Sequence, residues 1–188
     1  MAYDSIIPWS GGVESTAVVW WAINNGHKPI LFHTNTHFSR STYGPEKTAI
    51  DKMKKIMDVE CINVWNTMDG EFPTLGGRPH PSWVDWMHWA LIIQMRNPHI
   101  KAVWHGNNEG MFEIGDGLGD RDSPGFQATI NGFREIARGL SMNFDVYCPI
   151  KASKKELWHS LPKEIQDLVV SSDTLEGWRT IYDETYNI

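Results

Sequence analysis

Cysteine is scarce in this sequence of 188 residues, which has two, Cys61 and Cys148. Two thiols so far apart in the chain form neither a disulfide framework nor a zinc cluster. This scarcity excludes the small disulfide-rich folds. It also favours a reducing, cytoplasmic setting for the protein.

Basic runs and long apolar runs are missing as well. The formal net charge is −6, and no cluster of Lys and Arg follows the pattern of a phosphate-backbone site, so a nucleic-acid partner is disfavoured. No stretch approaches the ~20 apolar residues of a membrane span, and the first residues lack the features of a signal peptide. We therefore expect a small-molecule substrate and no membrane partner.

Short apolar runs alternate with longer amphipathic ones along the chain. The predicted strands are Ser5–Trp9, Pro29–Thr34, Cys61–Trp65, Lys101–His105 and Asp145–Cys148. The predicted helices are Val13–Asn25, Pro45–Met57, Pro81–Met95, Pro124–Leu140, Ser153–Leu161 and Pro162–Val170. This alternation predicts one α/β domain over residues 1–188, with a parallel sheet and helices on both faces. Ligands of such sheets bind beyond the carboxyl ends of the strands.

The loop after the first predicted strand combines two glycines with hydroxyl side chains, in the order Ser10-Gly11-Gly12-Val13-Glu14-Ser15-Thr16. Glycine lets the backbone approach a ligand closely and permits positive φ. The N–H groups and the dipole at a helix start favour an anion, and Ser10, Ser15 and Thr16 add hydroxyl donors. The loop therefore predicts a phosphate site, against the alternative of an ordinary strand-to-helix turn capped by serine. It has neither the lysine of a Walker A motif nor the third glycine of a dinucleotide fingerprint.

This loop resembles the Ser-Gly-Gly-x-Asp-Ser signature of the N-type ATP pyrophosphatases, the PP-loop family. The resemblance implies a Rossmann-like, adenine nucleotide alpha hydrolase-like fold with a five-stranded parallel sheet. It also implies cleavage of ATP between the α and β phosphates, which gives AMP and pyrophosphate. Glu14 stands where the family usually has aspartate, and its contact, a helix cap or a Mg²⁺ ion, stays open. The family binds adenine after the second strand, so the resemblance makes purine neighbours of His33, Thr34 and Asn35, largely through backbone.

Later segments are similar to 7-cyano-7-deazaguanine synthase, a branch of that family. They are Gly106-Asn107-Asn108 after the fourth strand, Asp120-Arg121-Asp122-Ser123-Pro124-Gly125-Phe126, and Pro149-Ile150 followed by Lys154 and Glu156. This resemblance implies that a carboxylate such as 7-carboxy-7-deazaguanine is adenylated, amidated by ammonia and dehydrated to a nitrile. Gly106 and Asn107 would then bind ATP. Arg121 and either Lys154 or Lys155 would supply positive charge, with Mg²⁺ on the phosphates and Glu14 as one candidate ligand.

The synthase branch carries a four-cysteine zinc site near its C-terminus, but no cysteine follows Cys148 here. We therefore expect no bound zinc and no loss of stability in EDTA. Residues 171–188 are predicted to form a helical tail that docks through one apolar face made of Leu175, Trp178, Ile181 and Tyr182. Trp178→Ala should cost about 3–5 kcal/mol if that side chain is fully buried.

Other readings of the sequence stay open. The enzyme could be another PP-loop member, of the adenylyl-sulfate reductase type or a tRNA-modifying type, although the tail lacks a reactive cysteine. It could also be a catalytically silent ATP-binding module, which the intact loop disfavours. The acidic loop from Glu109 to Asp122 is either a lid or a solvated loop, and His33 with His37 is read as a satisfied or exposed pair rather than a metal site. A homodimer is compatible with the sequence, which does not fix the oligomeric state.

Overall fold

A computed structural model describes residues 2–35, 43–65, 82–106, 124–150 and 152–170. Within these ranges strands and helices alternate, and the strands are β1 (Ser5–Pro8), β2 (Pro29–Asn35), β3 (Cys61–Trp65), β4 (Ala102–Trp104) and β5 (Asp145–Tyr147). The helices are α1 (Val13–Asn24), α2 (Tyr43–Met57), α3 (Ser82–Arg96), α4 (Pro124–Gly139), α5 (Lys154–His159) and α6 (Lys163–Gln166).

The strands form one sheet in the order β3-β2-β1-β4-β5, and every neighbouring pair is parallel. The chain first adds β2 and β3 on one side of β1 and then β4 and β5 on the other. This places β1 in the centre and puts the switch in strand order between β1 and β4. The predicted α/β fold with a five-stranded parallel sheet is confirmed.

Helices cover both faces of this sheet, as the adjacent apolar residues of β1 require. Successive side chains of a strand point to opposite faces. Ile7 accordingly packs with α1, α2, α5 and α6, while Ile6 packs with α3 and α4. Both side chains are fully buried. No helix in the part of the chain that the structure describes is long and apolar enough to cross a membrane.

Most predicted boundaries agree with the structure to within two residues, and α6 is the exception. The prediction carries that helix to Val170, whereas it ends at Gln166. Val169 packs into the core, and the N–H of Val170 donates to the carbonyl of Gly11 at 3.0 Å instead of continuing a helix. The predicted helical tail, with Trp178, lies outside the described residues.

Candidate functional site

The loop predicted to hold phosphates lies at the switch in strand order. Trp9 continues the pairing of β1 with β2 one residue beyond the end of β1, since its N–H donates to the carbonyl of Phe32 at 2.8 Å. The chain then turns through Ser10, Gly11 and Gly12 into α1. Parallel α/β sheets bind their ligands in the crevice at this position.

The two glycines of the loop have different conformations. Gly11 has φ +79°, in the left-handed region that favours glycine. Gly12 is extended, with φ −77° and ψ 167°, so positive φ is a property of Gly11 alone. Gly12 is also the N-cap of α1 and provides no side-chain cap. The first turn of α1 therefore begins on bare backbone, which suits a bound anion.

Hydrogen bonds of two serine hydroxyls stabilise this loop. The Ser15 hydroxyl lies 3.0 Å from that of Ser10, and it accepts a hydrogen bond from the N–H of Ser10 at 3.2 Å. The N–H of Gly12 donates to Ser10 Oγ at 3.4 Å. Ser10 is exposed and Ser15 is buried, so Ser10 is the hydroxyl that a ligand reaches directly.

Val13 and Thr16 turn their side chains into the core. Val13 belongs to the core cluster on the α1 face. Thr16 is fully buried, and its hydroxyl accepts a hydrogen bond from the indole N–H of Trp9 at 3.0 Å. This placement does not favour the predicted contact of the Thr16 hydroxyl with phosphates, because the group joins the loop to the core. Val13 can meet a ligand only through its backbone.

Gly106 fits tightly against the start of α1. A Cβ at this position would lie 2.3 Å from the backbone C and O atoms of Glu14 and 2.5 Å from the backbone N of Ser15. All three are backbone atoms of a buried helix, so they cannot rotate away. Gly106 thus allows the end of β4 to approach the start of α1, and its contact with ATP stays a prediction.

Lys154 reaches the loop from the other end of the chain. Its Nζ lies 3.0 Å from Oε1 of Glu14, and the two side chains are 18% and 22% exposed. Lys154 is the first residue of α5, whose start is fixed by a capping box between Ser153 and Glu156. Lys155 is exposed. Of the two lysines that the sequence leaves open, the geometry brings Lys154 to the loop.

The predicted purine neighbours lie at the carboxyl end of β2, next to the end of β1. His33 is 2% exposed, and its Nδ1–H donates to the Trp9 carbonyl at 2.9 Å. Thr34 is half-buried and pairs with Val64, and the backbone of Asn35 pairs with Trp65. The buried ring of His33 is therefore not available to a ligand, and the roles of Thr34 and Asn35 as purine neighbours stay predictions.

Two contacts at the site have no signal in the sequence. Val170 clamps the loop, with its carbonyl 3.5 Å from where a Cβ on Gly12 would stand. The Trp86 ring stacks on the His105 ring, with centroids 5.9 Å apart, one residue before Gly106. Both join positions far apart in sequence, which periodicity does not reveal.

The predicted site residues Asn107 and Arg121 lie outside the described ranges. Within those ranges no group of three or more His, Cys, Asp and Glu side chains is placed to hold a metal ion. A magnesium ion bound to a nucleotide needs fewer protein ligands, because one or two carboxylates, waters and phosphate oxygens complete its coordination. Glu14 is of the right type and position to be one such ligand. The expected absence of zinc remains a prediction.

Comparison with known proteins supports the fold alone. No family model and no curated protein matches the chain. Among solved structures it is similar to the U34-tRNA thiolase NcsA from Methanococcus maripaludis, a structure that holds a 4Fe-4S cluster, with a TM-score of 0.54 and 12% sequence identity. The match covers 98% of this chain but 64% of the thiolase, so this chain spans less than two thirds of its neighbour.

Proposed function

We propose that the protein is an ATP-dependent enzyme of the PP-loop type, which transfers AMP to its substrate and releases pyrophosphate. The observation that carries this proposal is the start of α1, where bare glycine backbone lies at the switch in strand order and Lys154 pairs with Glu14 in the first helical turn. The helix dipole and the lysine both favour phosphate oxygens. Gly106 and Val170 fix the backbone around them. Positioned positive charge of this kind is the main requirement of phosphoryl-type transfer.

The proposed reaction activates a carboxylate. A carboxylate oxygen of the substrate attacks the α phosphorus of ATP, the bond from that phosphorus to the bridging oxygen breaks, and pyrophosphate leaves. Ammonia then attacks the acyl carbon, AMP leaves with the bonding electrons, and loss of a proton gives the amide. A second ATP activates the amide oxygen in the same way, and loss of AMP with two protons from nitrogen gives the nitrile. Lys154 would neutralise charge on the departing phosphates.

For the substrate we propose 7-carboxy-7-deazaguanine or a close relative. The support is the ordered set of segments similar to 7-cyano-7-deazaguanine synthase, of which Gly106 and Lys154 both lie at the loop in the structure. The acidic net charge of −6 also suits a small molecule better than an RNA.

The alternative is a tRNA-modifying PP-loop enzyme, which the likeness to a tRNA thiolase favours. Two features weigh against it. Cysteine thiolates, usually four, hold a 4Fe-4S cluster, whereas this chain has two cysteines. In addition, burial raises the pKa of the Cys61 thiol to about 12, so this residue is a poor nucleophile. The residues present do not fit a cluster of that kind.

Phosphorus NMR tests the proposal directly. The protein is mixed with ATP, Mg²⁺, ammonium and 7-carboxy-7-deazaguanine, and AMP with pyrophosphate is expected. Leaving out the acid, or replacing it by unmodified tRNA with a sulfur donor, identifies the acceptor. Production of ADP and phosphate alone would overturn the cleavage, and turnover with tRNA instead of the acid would favour the alternative.

A further inference from the structure

Glu14 lies beside both of the positive features that would attract a phosphate, the ammonium group of Lys154 and the N-terminal end of α1. Its Oε1 lies 3.0 Å from Nζ of Lys154. Its other oxygen, Oε2, lies 3.7 Å from the position that a Cβ on Gly12 would take. The carboxylate is thus folded back over the first turn of its own helix. It lies where the helix dipole favours an anion.

We propose that Glu14 is an internal competitor for the phosphate site. It holds Lys154 while no nucleotide is bound, and a phosphate group must displace the carboxylate to take over the lysine. The inference rests on the proposed function, because it assigns a regulatory role to a residue of the same site. The binding free energy that the nucleotide gains from Lys154 is then the difference between a lysine–phosphate contact and the lysine–carboxylate contact already present.

Both partners stand on fixed supports. Glu14 is in the first turn of α1, which is buried against the sheet and α5, and Lys154 directly follows the Ser153 cap. The backbone on each side is therefore set before a ligand arrives. The exchange needs rotation of the Glu14 side chain, not movement of either helix.

The charge balance gives the direction of the effect. A carboxylate beside a polyphosphate competes for the lysine and also repels the incoming negative charge. Glutamine has nearly the same shape without the charge, so Glu14→Gln removes the competitor and keeps the packing. Because both side chains are mostly buried, solvent weakens this interaction less than it weakens an exposed ion pair.

Calorimetry with inorganic pyrophosphate and with ATP tests the inference. The titrations are made in EDTA, so that no divalent cation bridges the carboxylate and the phosphates. We expect Glu14→Gln to bind both ligands about tenfold more tightly than the natural sequence, and Lys154→Gln to bind them more weakly. In the double variant the gain from Glu14→Gln should be clearly smaller, because the lysine for which Glu14 competes is gone and only the repulsion between carboxylate and phosphates is relieved.

Asp167→Asn is the matched control. Asp167 pairs with Lys163 at 3.2 Å on the exposed surface near α6, so the variant makes the same change in net charge at a different ion pair. Its affinity for pyrophosphate should equal that of the natural sequence. An equal gain in this control would attribute the effect to net charge and overturn the inference.

Lysine acetylation gives a second measurement that needs no nucleotide. Acetic anhydride followed by peptide mass spectrometry should label Lys154 more slowly than its exposed neighbour Lys155. Glu14→Gln should raise the ratio of Lys154 to Lys155 labelling severalfold, while the circular dichroism spectrum stays unchanged. An unchanged ratio would mean that Glu14 does not hold the lysine in solution.

The outcomes separate this inference from the proposed function. Unchanged or weaker pyrophosphate binding by Glu14→Gln, with Lys154→Gln still weakened, overturns the inference and leaves the phosphate site standing. Absence of ATP and pyrophosphate binding in every variant and in the natural sequence overturns both. If Glu14→Gln fails to fold, Glu14→Asp replaces it. That variant keeps the charge but withdraws it from Lys154 by one methylene, and a smaller gain in affinity is expected.

Discussion

Gly106 leaves no room for a side chain at the site. A methyl group there would lie 2.3 Å from the backbone of Glu14, so either the end of β4 or the start of α1 would have to move. We expect Gly106→Ala to lower the free energy of unfolding by about 1–3 kcal/mol, the usual cost of overpacking. It should also weaken ATP binding, because the displaced backbone belongs to the loop that we propose binds the phosphates. Urea unfolding and calorimetry measure the two effects.

Gly132→Ala is the control for this substitution. Gly132 lies within α4, and nothing approaches the position of an added Cβ within 4 Å. Alanine is the better helix former there, so the variant should be as stable as the natural sequence or more stable by about 0.5–1 kcal/mol. Equal stability of the two glycine variants would contradict the close approach at Gly106.

Gly12 offers the opposite test, in which binding is lost and the fold is kept. Its extended backbone is open to any residue, and an added Cβ would make ordinary contacts, the nearest at 3.4 Å. In Gly12→Val the branched side chain would instead occupy the space above the first turn of α1. We expect ATP binding to disappear while the circular dichroism spectrum stays normal. Unaltered ATP affinity in a folded variant would remove the loop from the binding site.

Sequence reasoning at this scale identified residue types better than contacts. The loop Ser10–Thr16 was recognisable because its glycines and hydroxyls are adjacent in the chain. That Thr16 turns inward follows from the indole of Trp9, a tertiary partner, and the choice between Lys154 and Lys155 follows from the distant Glu14. Neither spacing nor composition reveals a contact between residues so far apart.

At the scale of elements, the capping box of α5 positions Lys154. Ser153 Oγ accepts from the N–H of Glu156 at 3.3 Å, and Glu156 in turn accepts from the N–H of Ser153 at 2.7 Å. We expect Ser153→Ala to cost about 1 kcal/mol of stability. It should also weaken pyrophosphate binding slightly, because the first turn of α5 then frays. Urea denaturation with calorimetry tests both, and a stability loss with unchanged binding would show that Lys154 does not depend on the cap.

The helix and strand boundaries show what local signals decide. The positive φ of Gly26, at +77°, marks the end of α1 close to its predicted position. The end of α6 was mispredicted because the signal is not local. The N–H of Val170 donates to the carbonyl of Gly11 instead of to a helical carbonyl. Nothing in the sequence of residues 162–170 indicates this distant partner.

At the scale of the whole molecule, Asp4 links the start of β1 to the start of β2. Burial alone would raise the pKa of the Asp4 carboxyl. Hydrogen bonds from the N–H of Lys28, from Ser5 and from His27 lower the pKa by more than burial raises it, so it lies below its ordinary value of 3.8. A lowered pKa in the folded state contributes stability that is present above 3.8 and is lost as the pH falls through the folded value. Asp4→Asn should therefore be less stable at neutral pH, by under about 1 kcal/mol because the group is partly exposed.

Urea unfolding over a pH series checks this linkage. The difference in stability between the natural sequence and Asp4→Asn should stay constant through the neutral range and shrink below pH 3.8. A difference that already shrank near neutral pH would assign the effect to a group other than Asp4.

The architecture was predictable from alternation, but the order of the strands was not. Runs of apolar residues between amphipathic segments indicate a parallel sheet, since each strand must be covered on both faces. No local pattern in the sequence says whether β4 pairs beside β1 or beside β3. The close fit of Gly106 against α1 agrees with β4 lying beside β1, but this can be recognised only once the strand order is known.

The central place of β1 has a consequence for synthesis. One edge of this strand is covered by β2 soon after it is made, but its other partner, Val103 of β4, comes roughly a hundred residues later. At about 5–20 residues per second the ribosome needs on the order of 5–20 s to supply it. During that interval the growing chain carries an open strand edge with unpaired N–H and C=O groups, and the turn at Gly11 still lacks Gly106, Lys154 and Val170. The ability to hold a ligand would therefore be the last property that the nascent protein acquires.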